Sequence, residues 1–457
     1  MDKSLQFKQY RNEYKEFHFN NYSISEDNEN IYLEFEFEIP KLSKFNPKLK
    51  ILKKDLNFKS LQTQYVQNMV FHIGLIELIS YWKVTCSPKI IIKCGYIDDE
   101  QKKWWKKLYF YGLGELFFTN NIKTNIDEFV TIECTNENKK IDYTDIDDIS
   151  AGYIVPVGGG KDSVVTLETL KIDKNNDYCL IINPKTVTLK CAELSGIKSC
   201  NIIEIYRTID PNLIALNKEG FINGHTPFSA MLAFLSYFVA YLLSKKYVAL
   251  SNENSANEPN IPGTQINHQY SKSFEFESDF AEYSNKYLKA PVKYFSFLRP
   301  LNELQIAKIF SKHEKYHDTF RSCNVGSKEK TWNWCCNCSK CLFAYIILSP
   351  YLYKENLVKI FGVDMFEQSN MLQTFLELTG NSENKPFDCV GTFEEVNSAI
   401  SQTIKNIQKE NGKLPYLLDY YNENYKLVNT FDELITNYNN QNNLNDEQNT
   451  MLRKEVF

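Results

Sequence analysis

The stretch Ile154-Val155-Pro156-Val157-Gly158-Gly159-Gly160-Lys161-Asp162-Ser163-Val164-Val165 joins an apolar run, three glycines and a Lys-Asp-Ser triplet to the start of a helical pattern. Glycines at such a junction let the backbone turn tightly and approach a ligand without side-chain obstruction. The free N–H groups and positive dipole end of the following helix favour an anion. The predicted anion is a nucleotide phosphate. The alternative is a glycine-rich strand-to-helix turn that binds nothing.

Two familiar phosphate loops do not fit. A Walker loop needs Gly, four residues, then Gly-Lys-Ser/Thr. Here Val155 stands where the first Gly belongs, and Asp162 follows the Lys. The dinucleotide fingerprint G-x-G-x-x-G, begun at Gly158, would require Gly where Ser163 stands. What remains resembles the PP-loop of the ATP pyrophosphatases, which split ATP into AMP and pyrophosphate and adenylate an oxygen of their substrate. That resemblance implies that Gly158, Gly159, Gly160, Lys161 and Ser163 cradle the pyrophosphate portion. Asp162 would hold Mg²⁺ or orient the loop.

A second constellation is built from thiols. Cys323, Cys335, Cys336, Cys338 and Cys341 fall close together, with Cys335-x2-Cys338-x2-Cys341 forming a compact knuckle. Four thiolates in tetrahedral array suit Zn²⁺, and a shell of Cys323, Cys335, Cys338 and Cys341 leaves no open position for catalysis. The expected role is structural, with Cys336 left over. The spacing resembles that of the 7-cyano-7-deazaguanine synthases, PP-loop enzymes with a four-cysteine zinc knuckle. Reduced, metal-free thiols or an iron–sulfur cluster are the alternatives.

Three polar segments are candidates for substrate choice. Asn223-Gly224-His225-Thr226-Pro227 opens a long apolar helix, where His225 and Thr226 bind an anion or simply cap the helix. Ser251-Asn252-Glu253-Asn254-Ser255-Ala256-Asn257 follows an apolar strand, as ligand loops do; an ordinary polar loop is the alternative. Asn267-His268-Gln269-Tyr270-Ser271-Lys272-Ser273-Phe274-Glu275 offers an imidazole, an amine and a carboxylate, or is a solvated loop.

In order, GGGKDSVVT, NGHTP, SNENSAN, NHQYSKSFEFE, WCCNCSKC and FDCVGTFEE resemble the bacterial UDP-N-acetylmuramoyl-L-alanyl-L-glutamate epimerases. The resemblance runs from about residue 150 to 400 and is weaker before that. It implies an enzyme that uses ATP and Mg²⁺ to invert the terminal L-Glu of UDP-MurNAc-L-Ala-L-Glu for peptidoglycan synthesis. The α-hydrogen beside a free carboxylate is very weakly acidic. Adenylation neutralises that carboxylate and makes it an electron sink, so a base of ordinary pKa can take the proton. Reprotonation from the other face and hydrolysis complete the inversion. On this reading Asn252, Asn254 and Ser255 join the loop in holding nucleotide. His225, Thr226, Asn267, Gln269, Ser271, Ser273 and Arg299 contact substrate. Cys389, in the family-like Asp388-Cys389-Val390-Gly391, is a candidate acid or base, and a buried structural Cys is the alternative. His268 and Lys272 are further candidates, with Asp388 and Glu253 behind them. Lys161, Lys272 and Arg299 are the cations for anionic groups, or surface charge.

Competing readings are another ATP pyrophosphatase, forming an amide or nitrile or epimerising a different glutamate-ending peptide, and an ATP-binding sensor without chemistry. A thiolation enzyme would want a basic RNA-binding face. The net charge is −5, which predicts no nucleic-acid partner.

The elements that must position these residues follow from periodicity. The chain has 457 residues, 43% hydrophobic and 24% charged, as expected of a soluble multidomain protein. The polar start MDKSLQFKQYRNEYKEF lacks an apolar core, so no secretory signal is expected. Twelve cysteines then suggest reduced thiols or metal, in a cytoplasmic protein. Residues 1–145 read as an N-terminal α+β domain, with strands over 31–39 and 89–97 and a helix over 61–82. A polar linker is expected at 135–150. From 150 to 342 strands (153–157, 178–183, 201–206, 247–251, 292–298) alternate with helices (163–172, 187–195, 226–245, 301–313). That rhythm predicts an α/β PP-loop domain on a mostly parallel sheet, with ligand loops at the carboxyl ends of strands. The uncharged run 226–244 is expected to be a buried helix rather than a membrane span. Residues 343–457 read as a mainly helical region, with a loosely ordered polar tail from Asn437.

Overall fold

Alternation is clearest in the strand Asn30–Ile39, where Ile31, Leu33, Phe35, Phe37 and Ile39 are buried and Glu34, Glu36 and Glu38 are not. Period-two patterning of this kind commits one face of a sheet to the core. The computed structural model describes residues 3–54, 56–137, 149–261, 266–326, 333–383 and 385–457. Among them the strands are β1 (Glu16–Glu26), β2 (Asn30–Ile39), β3 (Ser43–Phe45), β4 (Lys48–Leu52), β5 (Lys89–Ile92) and β6 (Thr131–Cys134). They continue as β7 (Ser150–Pro156), β8 (Tyr178–Ile182), β9 (Ile202–Thr208), β10 (Lys245–Leu250) and β11 (Lys293–Ser296). The protein is α/β with a mixed 11-stranded sheet.

The chain divides into two compact units. The first comprises Met1–Ile154, Ile203–Val248 and Gln265–Tyr294. In it β2 runs antiparallel to β1, β3 and β4, and β4 runs antiparallel to β9. Strands β1, β5 and β6 pair in parallel, as do β7 and β10. The sheet as a whole is mixed, while β7 and β10, within the 150–342 region expected to be mostly parallel, pair in parallel. Three of these antiparallel pairs join β1–β4, which lie too close in sequence for helical crossovers and are joined by short turns, and the fourth joins β4 to the distant β9. The helix Gln64–Trp82 carries apolar residues around its whole circumference and is almost wholly buried, as such a helix must be. Thr63 caps it by accepting from Val66 N at 3.1 Å. The helix Phe228–Leu242 packs on it, with the Tyr65 and Tyr241 rings 4.7 Å apart.

The second unit comprises Val155–Ile202, Ala249–Thr264 and Phe295–Phe457. Here Val157 N donates to Leu180 O at 2.9 Å and Phe297 N to Leu250 O at 2.7 Å, extending the strand pairings. The helices Lys161–Thr169, Thr186–Leu194 and Glu303–Ser311 lie where the α/β rhythm places them. Beyond residue 342 the unit is helical, as expected. The tail differs: Asp446–Val456 is a helix. Asn445 and Gln448 form a capping box, and Leu452 and Val456, one turn apart, are buried.

Most of the linker expected at 135–150 lies outside the described residues. No helix among the described residues is long and apolar enough to cross a membrane.

Candidate functional site

In the second unit the glycine loop leaves β7 and enters the helix Lys161–Thr169. Gly159 has φ +80°, a left-handed conformation that costs a side chain energy and glycine none. A Cβ on Gly158 would meet nothing within 4 Å, so that face of the loop is open. Gly160 is the N-cap and provides no side-chain cap for the helix amides. Ser163 Oγ donates to Gly160 O at 3.0 Å, and Arg321 N donates to Gly159 O at 2.8 Å.

Lys161 is buried and points at carboxylates. Its Nζ donates to Asp162 Oδ1 at 2.6 Å and, very closely, to Glu303. Burial would lower its pKa, but Asp162 and Glu303 hold it above the usual lysine range. Burial pushes Glu303 well above the carboxyl range; Lys161 opposes this, while Asp162, Glu253 and Glu395 add to it. Glu395 is raised by burial too, although it accepts from Glu303 N at 2.8 Å and from Thr392 N at 2.5 Å. Lys161 thus pairs directly with Asp162 and Glu303, and Glu253 and Glu395 add negative charge around Glu303. A triphosphate beside them needs a divalent cation to offset its charge. The open Gly158 face and the uncapped helix start fit the phosphate end of a nucleotide. At the end of β10, Ser251 Oγ is buried with no hydrogen-bond partner among the described residues, as a ligand contact would be.

Replacing Lys161 by Met should cost about 3 kcal/mol or more, because Glu303 is left as an unpaired buried charge. A carboxyl whose folded pKa exceeds its unfolded value favours the folded state at low pH and loses that contribution as pH rises. Lys161→Met should therefore be less destabilised near pH 5 than near pH 8. Urea denaturation at both values checks this, and equal deficits would contradict a charged Glu303.

The polar segment after β10 belongs to the same unit. Asn252 Nδ2 donates to Ser296 Oγ at 3.0 Å, Ser255 Oγ to Glu253 Oε1 at 3.1 Å, and Asn439 Nδ2 to Asn254 Oδ1 at 2.7 Å. Arg299 is fully buried, donating to Glu253 O at 2.6 Å and Ser296 Oγ at 3.3 Å. These partners make it a brace for the 252–255 loop. Asn260 Nδ2 reaches Pro386 O at 2.9 Å, and Lys385 pairs with Glu258, so the Asp388-Cys389 segment joins this loop. Asp388 accepts from Ser339 Oγ at 2.5 Å and from Asn324 Nδ2 at 3.1 Å, anchoring that segment to the cysteine knuckle. Cys389 is half-buried.

The knuckle gathers Cys323, Cys335, Cys338 and Cys341, whose sulfurs all lie within 4.8 Å of one another. Three separations are 3.5, 3.7 and 3.9 Å. A tetrahedron with Zn–S of about 2.3 Å has edges of ~3.8 Å, so the four thiols fit a zinc ion. Hydrogen bonds from its neighbours hold the Cys323 thiol low, while the same contact pushes Cys338 up to about 12. The thiols cannot all ionise together without a cation. Cys336 faces away, donating to Phe361 O at 3.2 Å.

The first unit holds the other predicted residues. His225 and His268 meet, ring centroids 4.2 Å apart, at Glu115. His268 Nδ1 makes a very close hydrogen bond to Glu115 Oε2, and His225 Nδ1 lies 3.8 Å from the same oxygen. Burial lowers the His225 pKa to about 4, helped by His268, Lys83 and Lys272 and opposed by Glu115. Gln269 Oε1 is buried with no hydrogen-bond partner among the described residues. Asn267 Oδ1 accepts from Gln269 N at 2.7 Å, and Ser273 caps the helix Phe274–Tyr283. Ser271 is buried, Thr226 is half-buried, and Lys272 ends a short 3-10 turn.

Glu115, Glu303 and Glu395 are absent from the sequence-based set. Glu395 was legible in part, since Thr392-x-x-Glu395 is a capping box. Glu115 and Glu303 carry no local signal, because each gains meaning from residues more than a hundred positions away.

Residues 8–297 match the MurL N-terminal domain, and residues 319–424 match the MurL C-terminal domain. A protein of Xanthomonas oryzae pv. oryzae named UDP-N-acetyl-alpha-D-muramoyl-L-alanyl-L-glutamate epimerase is 32% identical over 344 residues, 74% of each chain. One of the same name from Salinispora tropica is 37% identical over 333 residues, 72% of this chain and 71% of its own. A third, from a Micromonospora species, is 32% identical over 335 residues, 72% of this chain and 73% of its own. No solved structure matches significantly. With both of its domains and three such relatives matched across most of the chain, the protein belongs to the MurL family.

Proposed function

We propose that this chain is an ATP-dependent epimerase converting UDP-MurNAc-L-Ala-L-Glu to UDP-MurNAc-L-Ala-D-Glu for peptidoglycan synthesis, with a PP-loop region at 150–342. The observation that carries the reading is the open, uncapped loop at Gly158–Ser163, in a chain whose relatives bear that epimerase name. ATP, as co-substrate, would supply the adenylyl group that turns the terminal carboxylate into an electron sink. The amides after Gly158, Gly159 and Gly160 would bind phosphate oxygens, and Asp162 would hold Mg²⁺. Asn252, Asn254 and Ser255 flank the nucleotide. Lys161 acts indirectly, balancing Glu303 and fixing the start of the helix that carries Asp162. Arg299 supports the 252–255 loop from beneath. Zn²⁺ in the knuckle would be structural, fastening Asp388 and Cys389 through Ser339 and Asn324. His268, Lys272 and Cys389 are the groups able to move the α-proton; His225, Thr226, Asn267, Gln269, Ser271 and Ser273 contribute polar contacts to substrate.

The test is incubation with ATP, Mg²⁺ and UDP-MurNAc-L-Ala-L-Glu in deuterated water. The expected result is one α-deuterium in the product, D-Glu on hydrolysis, and AMP in proportion. Recovered peptide without α-deuterium or D-Glu would defeat the proposal. AMP formed only with other carboxylic acids would assign a different ATP-pyrophosphatase reaction.

A further inference from the structure

We infer that Asn439, in the segment beyond residue 424, is a positioning residue that turns the amino group of Asn254 toward the bound nucleotide. The inference rests on the reading of the 252–255 loop as a nucleotide contact. Residues 425–457 lie beyond the stretch that matches the MurL C-terminal domain, so that match assigns them no role. They fold onto the helices that build the site. The helix Asp446–Val456 packs against Lys161–Thr169 and Glu303–Ser311, and Lys308 Nζ donates to Val456 O at 3.3 Å. Just before Asn439, Gln305 Nε2 donates to Asn437 O at 2.5 Å. The Arg453 guanidinium lies over the Tyr438 ring, 3.8 Å from its centre. The chain that carries Asn439 is thus anchored on both sides.

Every polar group of Asn439 has a partner. Its N donates to Pro300 O at 2.9 Å, and its O accepts from Asn442 Nδ2 at 2.9 Å. Its Oδ1 accepts from Gln441 N at 2.8 Å, and its Nδ2 donates to Asn254 Oδ1 at 2.7 Å. A backbone N–H can only donate, so the Gln441 contact fixes which end of the Asn439 amide is oxygen. The nitrogen end then faces Asn254, and Asn254 must answer with its oxygen. Its own Nδ2 is left pointing away from Asn439, with no acceptor among the described residues.

The backbone of Asn254 is pinned as well. Its N donates to Leu301 O at 3.0 Å, and its O accepts from Asn257 Nδ2 at 3.1 Å. What remains is one half-buried amino group in a fixed orientation, in the polar loop that follows β10. A nucleotide is rich in acceptors, in its phosphates, its ribose and the ring nitrogens of its base. A donor already held in place binds such an acceptor at lower entropic cost than a rotating one.

Asn439→Asp tests this by reversing the contact. One carboxylate oxygen still accepts from Gln441 N. The other replaces the amino group, so Asn254 must rotate to donate to it and turn Oδ1 toward the nucleotide. A hydrogen bond is kept, and the melting temperature should stay near that of the parent. The Kd for ATP with Mg²⁺, measured by calorimetry on the full chain, should rise about tenfold. Asn439→Ala releases the amide without inverting it, and its Kd should rise less, by about threefold.

The new carboxylate also repels ATP, and a double-mutant cycle separates that effect from positioning. Without the Asn254 side chain there is nothing to orient. In an Asn254→Ala background, Asn439→Asp should therefore change the Kd by less than about twofold. Charge repulsion would persist there undiminished.

An unchanged Kd in Asn439→Asp overturns the inference. So does a loss of affinity that persists in the Asn254→Ala background. A melting temperature that falls sharply in both Asn439 variants overturns it too, by making the residue structural. A parent that binds no ATP would defeat the nucleotide reading and the inference together. A parent that shows the expected coupling in ATP binding, yet forms no AMP with UDP-MurNAc-L-Ala-L-Glu, would defeat the epimerase reading and leave the positioning role standing.

Discussion

Asp162→Ala is expected to lower AMP formation by about a hundred- to a thousandfold while costing no more than about 1 kcal/mol of stability. Asp162 and Glu303 pair with Lys161, Glu253 and Glu395 lie near enough to act on Glu303, and the exposures of the four carboxylates separate their roles. Glu253, Glu303 and Glu395 are 6%, 3% and 1% exposed, whereas the Asp162 side chain is 34% exposed. Only Asp162 among these four can reach an ion in the open space above the loop. Its loss leaves Lys161 still paired with Glu303, so the buried charge stays balanced. Lys161→Met is the opposite case, large in stability because Glu303 is stranded. Adjacent residues thus separate structure from chemistry. Thermal melts and an AMP assay on Asp162→Ala decide it. AMP formation within tenfold of the parent would show that the nucleotide is held elsewhere. A melting temperature as low as that of Lys161→Met would show that Asp162 is structural.

The loop was legible because its information is local. Three glycines, an uncapped helix start and the preceding apolar strand all lie within a dozen residues. The gathering of four cysteines was legible for a similar reason: short C-x2-C spacings limit where the thiols can go. The strands and helices expected from periodicity between 150 and 313 agree with the structure to within a few residues, but the helices Pro211–Lys218 and Phe274–Tyr283 were not among them. Strand direction did not follow, because the pattern of β1–β4 is the same for parallel and antiparallel partners. The surroundings of Lys161 were also hidden. A lysine beside a phosphate loop suggests a phosphate ligand, yet burial turned it toward Glu303. Arg299 likewise looked like a substrate cation, and full burial gave it backbone and hydroxyl partners. In each case desolvation decided the outcome, and desolvation depends on tertiary packing. The tail was misread for the converse reason. Its polar composition obscured an Asn445-x-x-Gln448 cap and two apolar residues one turn apart.

Cys338→Ser should release the knuckle's metal and markedly lower the cooperativity and midpoint of unfolding, while Cys336→Ser should do neither. Zinc bound by such ligands contributes on the order of 10 kcal/mol of binding free energy in small domains. Even a fraction of that rivals the whole stability of a folded unit, about 5–15 kcal/mol. The knuckle also fixes what lies around it. Gly326 N donates to Cys323 Sγ at 3.1 Å, and the segment just before Cys323 binds Gly159 O through Arg321 N. On the other side Ser339 holds Asp388. Loss of the ion should therefore loosen both the glycine loop and the Asp388-Cys389 segment, and AMP formation should fall with the metal. Cys336 provides the control, because its thiol donates to Phe361 O and burial pushes its pKa up to about 11. Elemental analysis beside thermal melts makes the comparison. One zinc per chain in the parent and in Cys336→Ser, and none in Cys338→Ser, is the expected pattern. Equal metal in both variants would refute the four-cysteine site. A metal-free parent that unfolds at the same temperature with and without added zinc would show that packing alone holds the knuckle together.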